Sequence, residues 1–411
     1  RTPTFRALRE SAPFRRYFVG QTVSLSGTWM QSVGQAWLVL QLGRSATMVG
    51  LVLAAQTVPI LLFGPSGGLL VDRHDSRRLL VGTQLVAGVQ ALLLGLLTVA
   101  GEVRLWMVFG LAVLYGFVQC IDNPARQTFA LELVGPELLA NAVTLNSINM
   151  NAARVFGPAL AAGVIAWLGI GACFLLNAAS FGAVLVALLL LRHAPLHERK
   201  REPRHGGQLR EGMAYAWQLA ELRTLLLMMT LIGTLTYEFS VTLPALADFT
   251  FGGSASTFGL MTGAMGVGAV VGGLLTASRP RGGLRVVSGQ CAAFGVAVAV
   301  AAVAPTLPLV IVALFFVGAG SLVFIARANA TVQLLAPPAK RGRVMALWSM
   351  AFLGTTPIGA PIVGWISAVA GPRWALAVGA AAALVAAGFG LATARASTRD
   401  GVAGAGATDG A

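Results

Sequence analysis

Charge is what this sequence has least of. Only 11% of its 411 residues are Asp, Glu, Lys or Arg, against about 25% in a soluble domain, so a water-facing surface of ordinary extent cannot be assembled from it. Lysine is scarcer still. It occurs at Lys200 and Lys340, neither preceded by glycine, which excludes the Gly-Lys-Ser/Thr phosphate loop of an ATP-driven pump. The four histidines, His74, His193, His197 and His205, fall in expected loops and none belongs to a His-Glu-x-x-His helix. His193, His197 and His205 beside Glu198 read as a solvated basic loop rather than a metal set. With no phosphate loop and no metal-binding histidine pattern, the chain is not expected to be an enzyme, and no cofactor is implied. Cys120, Cys173 and Cys291 stand alone in apolar runs, which reads as core packing rather than a disulfide framework.

What fills the space is apolar. The chain is 56% hydrophobic with a mean hydropathy of +0.77. Tyr17–Gly43, Ala46–Val71, Leu79–Gly101, Val155–Leu191, Phe249–Ser278, Val286–Ala326, Val344–Pro372 and Trp374–Ala394 contain no charge at all. A helix needs about 20 apolar residues to cross the hydrocarbon layer. The two longest intervals hold a pair each, turned at "WLGIGACF" (167–174) and "AVAPTLPL" (302–309). The pattern predicts an all-α membrane protein with twelve transmembrane helices, at about 17–42, 46–71, 79–100, 105–127, 138–168, 172–192, 220–246, 254–278, 284–303, 307–331, 343–369 and 373–394. The basic N-terminus runs into a full-length span with no cleavage pattern, so no removable signal is expected.

The net charge of +14 invites a nucleic-acid partner, and its placement argues against one. With the N-terminus inside, 25 of the 29 basic residues fall on inner segments, while Arg44, Arg104 and Arg373 lie outside and Arg154 within a span. Basic residues mark the cytoplasmic side, so both termini are expected there.

The stretch 193–219 is the longest hydrophilic one and divides the chain into six spans and six. The expected parts are a cytoplasmic segment 1–16, bundles 17–192 and 220–394, a cytoplasmic loop 193–219 between them, and a disordered cytoplasmic tail 395–411. "VFGPALAAGVIAWLG" (155–169) lies over "PIGAPIVGWISAVAG" (357–371) at an offset of 202 residues, a weak internal repeat. Repeated halves around a central site are a transporter design.

"GGLLVDRHDSRRLL" (67–80) falls between the second and third spans. It resembles the loop signature of the major facilitator superfamily, Gly-x-x-x-Asp-Arg-x-x-Arg-Arg, with Gly68, Asp72, Arg73 and Arg77 in place and Arg78 following. Ser76 stands where the family usually has Arg, which would shift the bridging role to Arg77. The segments 14–42, 120–160 and "FLLNAASF" (174–181) resemble the bacterial transmembrane secretion effector branch, which includes enterobactin and macrolide exporters. The resemblance implies two pseudo-symmetric six-helix bundles, secondary transport and outward direction. It further implies a latch in which, in the outward-open state, Asp72 and Arg77 meet an acid on the fourth span, here Asp122, beside Arg126. Gly157-Pro158 matches part of the helix-5 antiporter motif, although the Gly-Gly that normally follows is Ala161-Ala162.

Polar residues inside spans are costly unless they face protein or water, and several recur at helical spacing. Ser24, Thr28, Gln31 and Gln35 form one stripe. Tyr115, Gln119, Asp122 and Arg126 form another; Ser147, Asn151, Arg154 and Pro158 a third; Thr230, Thr234 and Glu238, with Tyr237 adjacent, a fourth. Gln31, Gln35, Tyr115, Gln119, Asn151, Arg154, Tyr237 and Glu238 are the expected substrate-contacting set. For the neutral members, hydrogen bonds between helices are an equal alternative. Glu238 is the one carboxylate deep in a span of the second half, where the resembled family more often shows an amide. Burial favours its neutral form, so it is the expected proton carrier, with a structural bond to Thr234 or Thr242 as the rival.

The expected partners are an amphipathic small-molecule substrate (siderophore, macrolide or drug-like), protons and the lipid bilayer of a bacterial cytoplasmic membrane, the protein acting as a monomer. An importer or exchanger of a small metabolite and a non-transporting membrane sensor are the alternatives.

Overall fold

The structure is a computed structural model that describes residues 5–192, 196–197, 208–277 and 283–406. A short α1 (Arg6–Glu10) precedes α2 (Ala12–Gly43), α3 (Ala46–Arg73), α4 (Ser76–Val99), α5 (Leu105–Glu132), α6 (Gly135–Leu168) and α7 (Ile170–Leu190). Then come α8 (Gln208–Gln218), α9 (Ala220–Leu235), α10 (Phe239–Ala245) and a π-helical turn over Leu246–Thr250. α11 (Ala255–Ala277), α12 (Leu284–Val303), α13 (Leu307–Leu335), α14 (Pro338–Leu353), α15 (Thr356–Val369) and α16 (Pro372–Gly406) follow. Eleven stretches of the described residues are long and apolar enough to cross a membrane. The helix they omit, α2, carries its amides and hydroxyls within the same length and supplies the twelfth expected span.

The chain chemistry explains where helices start and stop. Ser11 and Ser45 cap α2 and α3 by accepting the Phe14 and Thr47 amides, and Asp75 caps α4 by accepting from Arg78 at 2.9 Å. Gly169, at φ 83°, is the whole turn between α6 and α7, as the Gly-bearing sequence there predicts.

Three features depart from the sequence reading. The seventh span is interrupted at Thr236–Glu238 and the eleventh at Gly354–Thr355, where continuous helices were expected. The stretch read as a loop at 193–219 contains helix α8. α16 continues to Gly406 rather than ending near Ala394; alanines at 394, 396, 403 and 405 support helix where small residues had suggested none. Residues 407–411 lie outside the described residues, as do most of 193–207.

Two compact units divide the chain: 1–203 with 252–263, and 204–251 with 264–411. In the first, α4 packs against α5 and α7, α2 against α6 and α7, and α3 against α5. In the second, α12 packs against α13 and α16, and α9 against α14 and α16. The third span thus meets the sixth and the ninth meets the twelfth, as a repeat requires. Gly268 on α11 backs onto the Phe315 carbonyl of α13, and Gly318 on α13 onto the Met265 carbonyl of α11. A side chain at either would overlap main chain, so this crossing exists because both residues are glycine.

Apolar side chains cover the outward helix faces: Leu274 is 71% and Val303 74% exposed, which water would penalise and lipid does not. Trp106, Trp167 and Trp374 stand exposed at helix ends remote from the basic loops, the position of an interfacial aromatic belt. The cysteines are buried. Cys120 donates to the Pro59 carbonyl and Cys291 to that of Ala383, each at 3.2 Å, and Cys173 packs beside Gly34. This is a multi-pass, all-α membrane protein.

Candidate functional site

The expected residues resolve into clusters of different character. In the first unit, Asp122 on α5 is 1% exposed and filled by donors. Thr83 and Gln84 of α4 donate to Oδ1 at 2.7 and 2.6 Å, and Arg126, one turn on, pairs with Oδ2. Arg126 in turn donates to Gln21 of α2. Three helices are therefore tied through one neutralised ion pair, with Tyr17 packed nearby against Phe129, ring centroids 5.0 Å apart. A buried charge this well satisfied is held in place.

Nearer the other end of that bundle, Gln31 donates to Gln90 at 3.3 Å and accepts from Asn177 at 2.7 Å; Ser180 closes onto Asn177 at 2.9 Å. Gln35 donates to Gln56 at 3.2 Å. Tyr115 is buried among Ala87, Ala91, Val118 and Phe181. The stripe on α2 is thus engaged with α3, α4 and α7, and Gln119 is half-buried one turn from Tyr115. Arg154 on α6 lies over the Trp29 ring, 5.1 Å from its centroid. Asn151 sits on the same helix, and its side chain lies outside the described residues.

At the connection of α3 to α4, Gly68 and Asp72 occupy the last turns of α3, which ends at Arg73. Beside Gly68, the buried Gly67 backs onto the Cys120 carbonyl of α5. Arg77 donates to the Leu191 carbonyl at 3.1 Å in this conformation. Arg78 lies in the first turn of α4, its main-chain N–H on Asp75. Ser76, the departure from the loop signature, donates to Glu132 at the end of α5.

In the second unit, Tyr237 and Glu238 lie in the break of the seventh span. Tyr237 stacks on Phe294 of α12 at 5.5 Å and meets Phe352 of α14 edge-on at 5.3 Å. Its hydroxyl donates to the Ser321 carbonyl at 3.3 Å and accepts from the Ser321 hydroxyl at 3.1 Å. Glu238 is 3% exposed. Thr356 bears on its carboxyl electrostatically, and its Oε1 has no hydrogen-bond partner among the described residues. The rival structural bonds are not formed by the carboxyl: Thr234 donates to the Thr230 carbonyl at 2.7 Å and Thr242 to the Glu238 main-chain carbonyl at 3.2 Å. Between α12 and α13 the Gln290 amide, oriented with its oxygen towards Arg327, accepts from the guanidinium at 3.0 and 2.8 Å.

Sequence reasoning missed Gln21, Thr83, Gln84, Gln90, Asn177, Gln290 and Thr356. An amide within an apolar span was the available signal for most of them. Thr356 had a different one, the Thr-Thr-Pro that starts a helix.

Comparison with known proteins follows the same lines. The profile of the family described as transmembrane secretion effector matches residues 2–403. The chain is 25% identical over 258 residues to the staphyloferrin A transporter of Staphylococcus aureus, covering 62% of this chain and 65% of that protein. It therefore spans less than two thirds of that relative. It is 25% identical over 389 residues to the enterobactin exporter of Shigella flexneri, covering 93% and 90%. Among solved structures it resembles a bacterial homologue of the human lysosomal transporter Spinster, in an inward-facing and unoccupied conformation, with a TM-score of 0.76, 13% identity and coverage of 96% and 98%. The chain belongs to the transmembrane secretion effector family of the major facilitator superfamily.

Proposed function

We propose that this protein is a secondary active exporter of amphipathic organic molecules, siderophore, macrolide or drug-like, working by proton antiport with alternating access across a bacterial cytoplasmic membrane. Both termini are cytoplasmic in this reading, which rests on the placement of the basic residues. The protein acts as a monomer, and Asp72 with the loop arginines Arg73, Arg77 and Arg78 governs the inner gate.

The observation that carries the coupling role is the contrast between two buried acids. Asp122 is saturated by Thr83, Gln84 and Arg126. Glu238 is as deeply buried, yet keeps one oxygen without a partner among the described residues and sits where the helix is interrupted. Interrupted helices at mid-membrane are where transporters place substrate and ion sites. A proton crossing 100 mV yields about 2.3 kcal/mol and a pH unit adds about 1.4, enough for several-hundredfold accumulation at one-to-one coupling.

The test is Glu238→Gln, which keeps shape and removes titration. A cargo found by comparing cells with and without the gene across a drug and siderophore panel is loaded into proteoliposomes. Loss of uphill efflux under a pH gradient, with downhill exchange intact, is expected; full gradient-driven efflux by the Gln protein would rule the coupling role out.

A further inference from the structure

One cation of the second unit lies inside a span and has no acid to answer it. From Phe249 to Arg399 the sequence holds ten basic residues and no Asp or Glu. Arg285, Arg341, Arg343, Arg373 and Arg395 stand at the ends of apolar spans, whereas Arg327 lies well inside one, eight residues before the end of α13. It shares a helical stripe with Leu309, Phe316 and Leu334, at intervals of 7, 11 and 7 residues. Those three are more than half exposed, as side chains facing lipid are. Arg327 is half-buried and leans from this stripe towards α12, where the Gln290 amide oxygen accepts its Nε–H and Nη1–H at 3.0 and 2.8 Å. One turn deeper the buried rings of Phe294 and Phe324 stack, centroids 6.5 Å apart, and fill the space between the two helices. Among the described residues no carboxylate lies within ion-pair distance of Arg327. The first unit shows the internal alternative. Arg126, one residue from the same place under the 202-residue offset, is paired with Asp122 four positions earlier; four positions before Arg327 stands Val323.

We infer that Arg327, steadied by Gln290, is a headgroup site for an anionic phospholipid, whose phosphate meets the guanidinium on the lipid side of the α12–α13 groove. Gln290 is neutral and occupies two of the five guanidinium N–H groups, so it orients the cation without cancelling it. A charge facing hydrocarbon is costly, and a phosphate both neutralises it and matches its fork. At about 1.5 Å per residue, Arg327 lies about 12 Å from the end of α13, a depth from which a long side chain reaches the headgroup layer. Basic pockets between membrane helices take anionic headgroups in this way. Neighbouring cations are engaged elsewhere: Lys340 lies over the Tyr215 ring at 4.7 Å, and Arg341 donates to the Gln333 carbonyl at 3.1 Å. Sidedness of charge explains basic residues at span ends but not one within a span, held by an amide on a lipid-facing stripe.

The test counts bound lipids by native mass spectrometry on the full-length protein in detergent, titrated with phosphatidylglycerol or phosphatidylcholine. Wild type should retain phosphatidylglycerol in preference to phosphatidylcholine, and excess inorganic phosphate should not displace it. Arg327→Gln should bind phosphatidylglycerol about fivefold more weakly with phosphatidylcholine unchanged. Arg104→Gln, at an exposed position before α5, should bind as wild type does. Equal phosphatidylglycerol affinity in wild type and Arg327→Gln overturns the inference, as does an equal loss in Arg104→Gln, which would mark a diffuse charge effect. Wild-type protein alone can also overturn it, by retaining both lipids equally or by yielding its lipid to inorganic phosphate. Should Arg327→Gln not accumulate, Arg327→Met is read in its place.

Discussion

The Thr234 carbonyl, in the last turn of α9, lies so close to Gly359 on α15 that no side chain fits between them. Gly233, one residue earlier, backs onto the Ala351 carbonyl of α14. The crossing of the two interrupted spans is therefore main chain against main chain. Gly359→Ala should destabilise the protein by about 1–3 kcal/mol through overpacking, seen as a lower melting temperature in detergent. Gly163→Ala, with nothing within 4 Å of the added carbon, should leave the melt unchanged or slightly raised. Equal melts for the two variants would mean that the crossing is loose.

The Asp122–Arg126 pair predicts strong non-additivity. Asp122→Asn leaves Arg126 buried without its counter-charge and should cost about 3 kcal/mol or more, read as loss of monodisperse protein on heating. Asp122→Asn combined with Arg126→Gln should be milder than the sum of the single changes. Additive losses would show that the two side chains act independently.

Arg154, over the Trp29 ring, tests the proposed substrate-binding role. Arg154→Gln should raise the KM for the exported cargo severalfold while the amount of inserted protein stays near wild type, since the ring contact contributes only about 0.5–2 kcal/mol. A variant that fails to reach the membrane would make Arg154 part of the scaffold instead.

Asp72→Asn addresses the gate. The protein should insert and melt as wild type does, and transport should fall by at least about tenfold, a barrier change of about 1.4 kcal/mol. Normal efflux by a well-expressed Asp72→Asn protein would leave the loop with a topological role only.

The all-α fold and the order of its apolar spans were readable in the sequence because apolar length is a property of single segments. The Asp122–Arg126 spacing was readable for the same reason, both residues lying on one helix. What escaped was pairing across helices. Nothing local says that Gln31 meets Gln90 and Asn177, or that Gln84 of α4 turns to Asp122 of α5, because those contacts depend on rotation and packing of separate segments. The loop signature assigns Arg77 to Asp122 in the outward-open state; in this conformation it donates to the Leu191 carbonyl. The interruption at Thr236–Glu238 had no Pro or Gly to announce it. Gly354 and the Thr-Thr-Pro after it did mark the second break, but an uninterrupted apolar run concealed it.

The burial of all three thiols makes the chain chemically mute to water-soluble alkylating reagents. Cys120 and Cys291 have their S–H groups turned into main-chain carbonyls, and Cys173 is sealed beside Gly34. A single cysteine introduced on any water-exposed turn would therefore report its own position alone. The native sequence already serves as the silent background that a labelling map of inward and outward states requires, with no residue removed from the packed bundles.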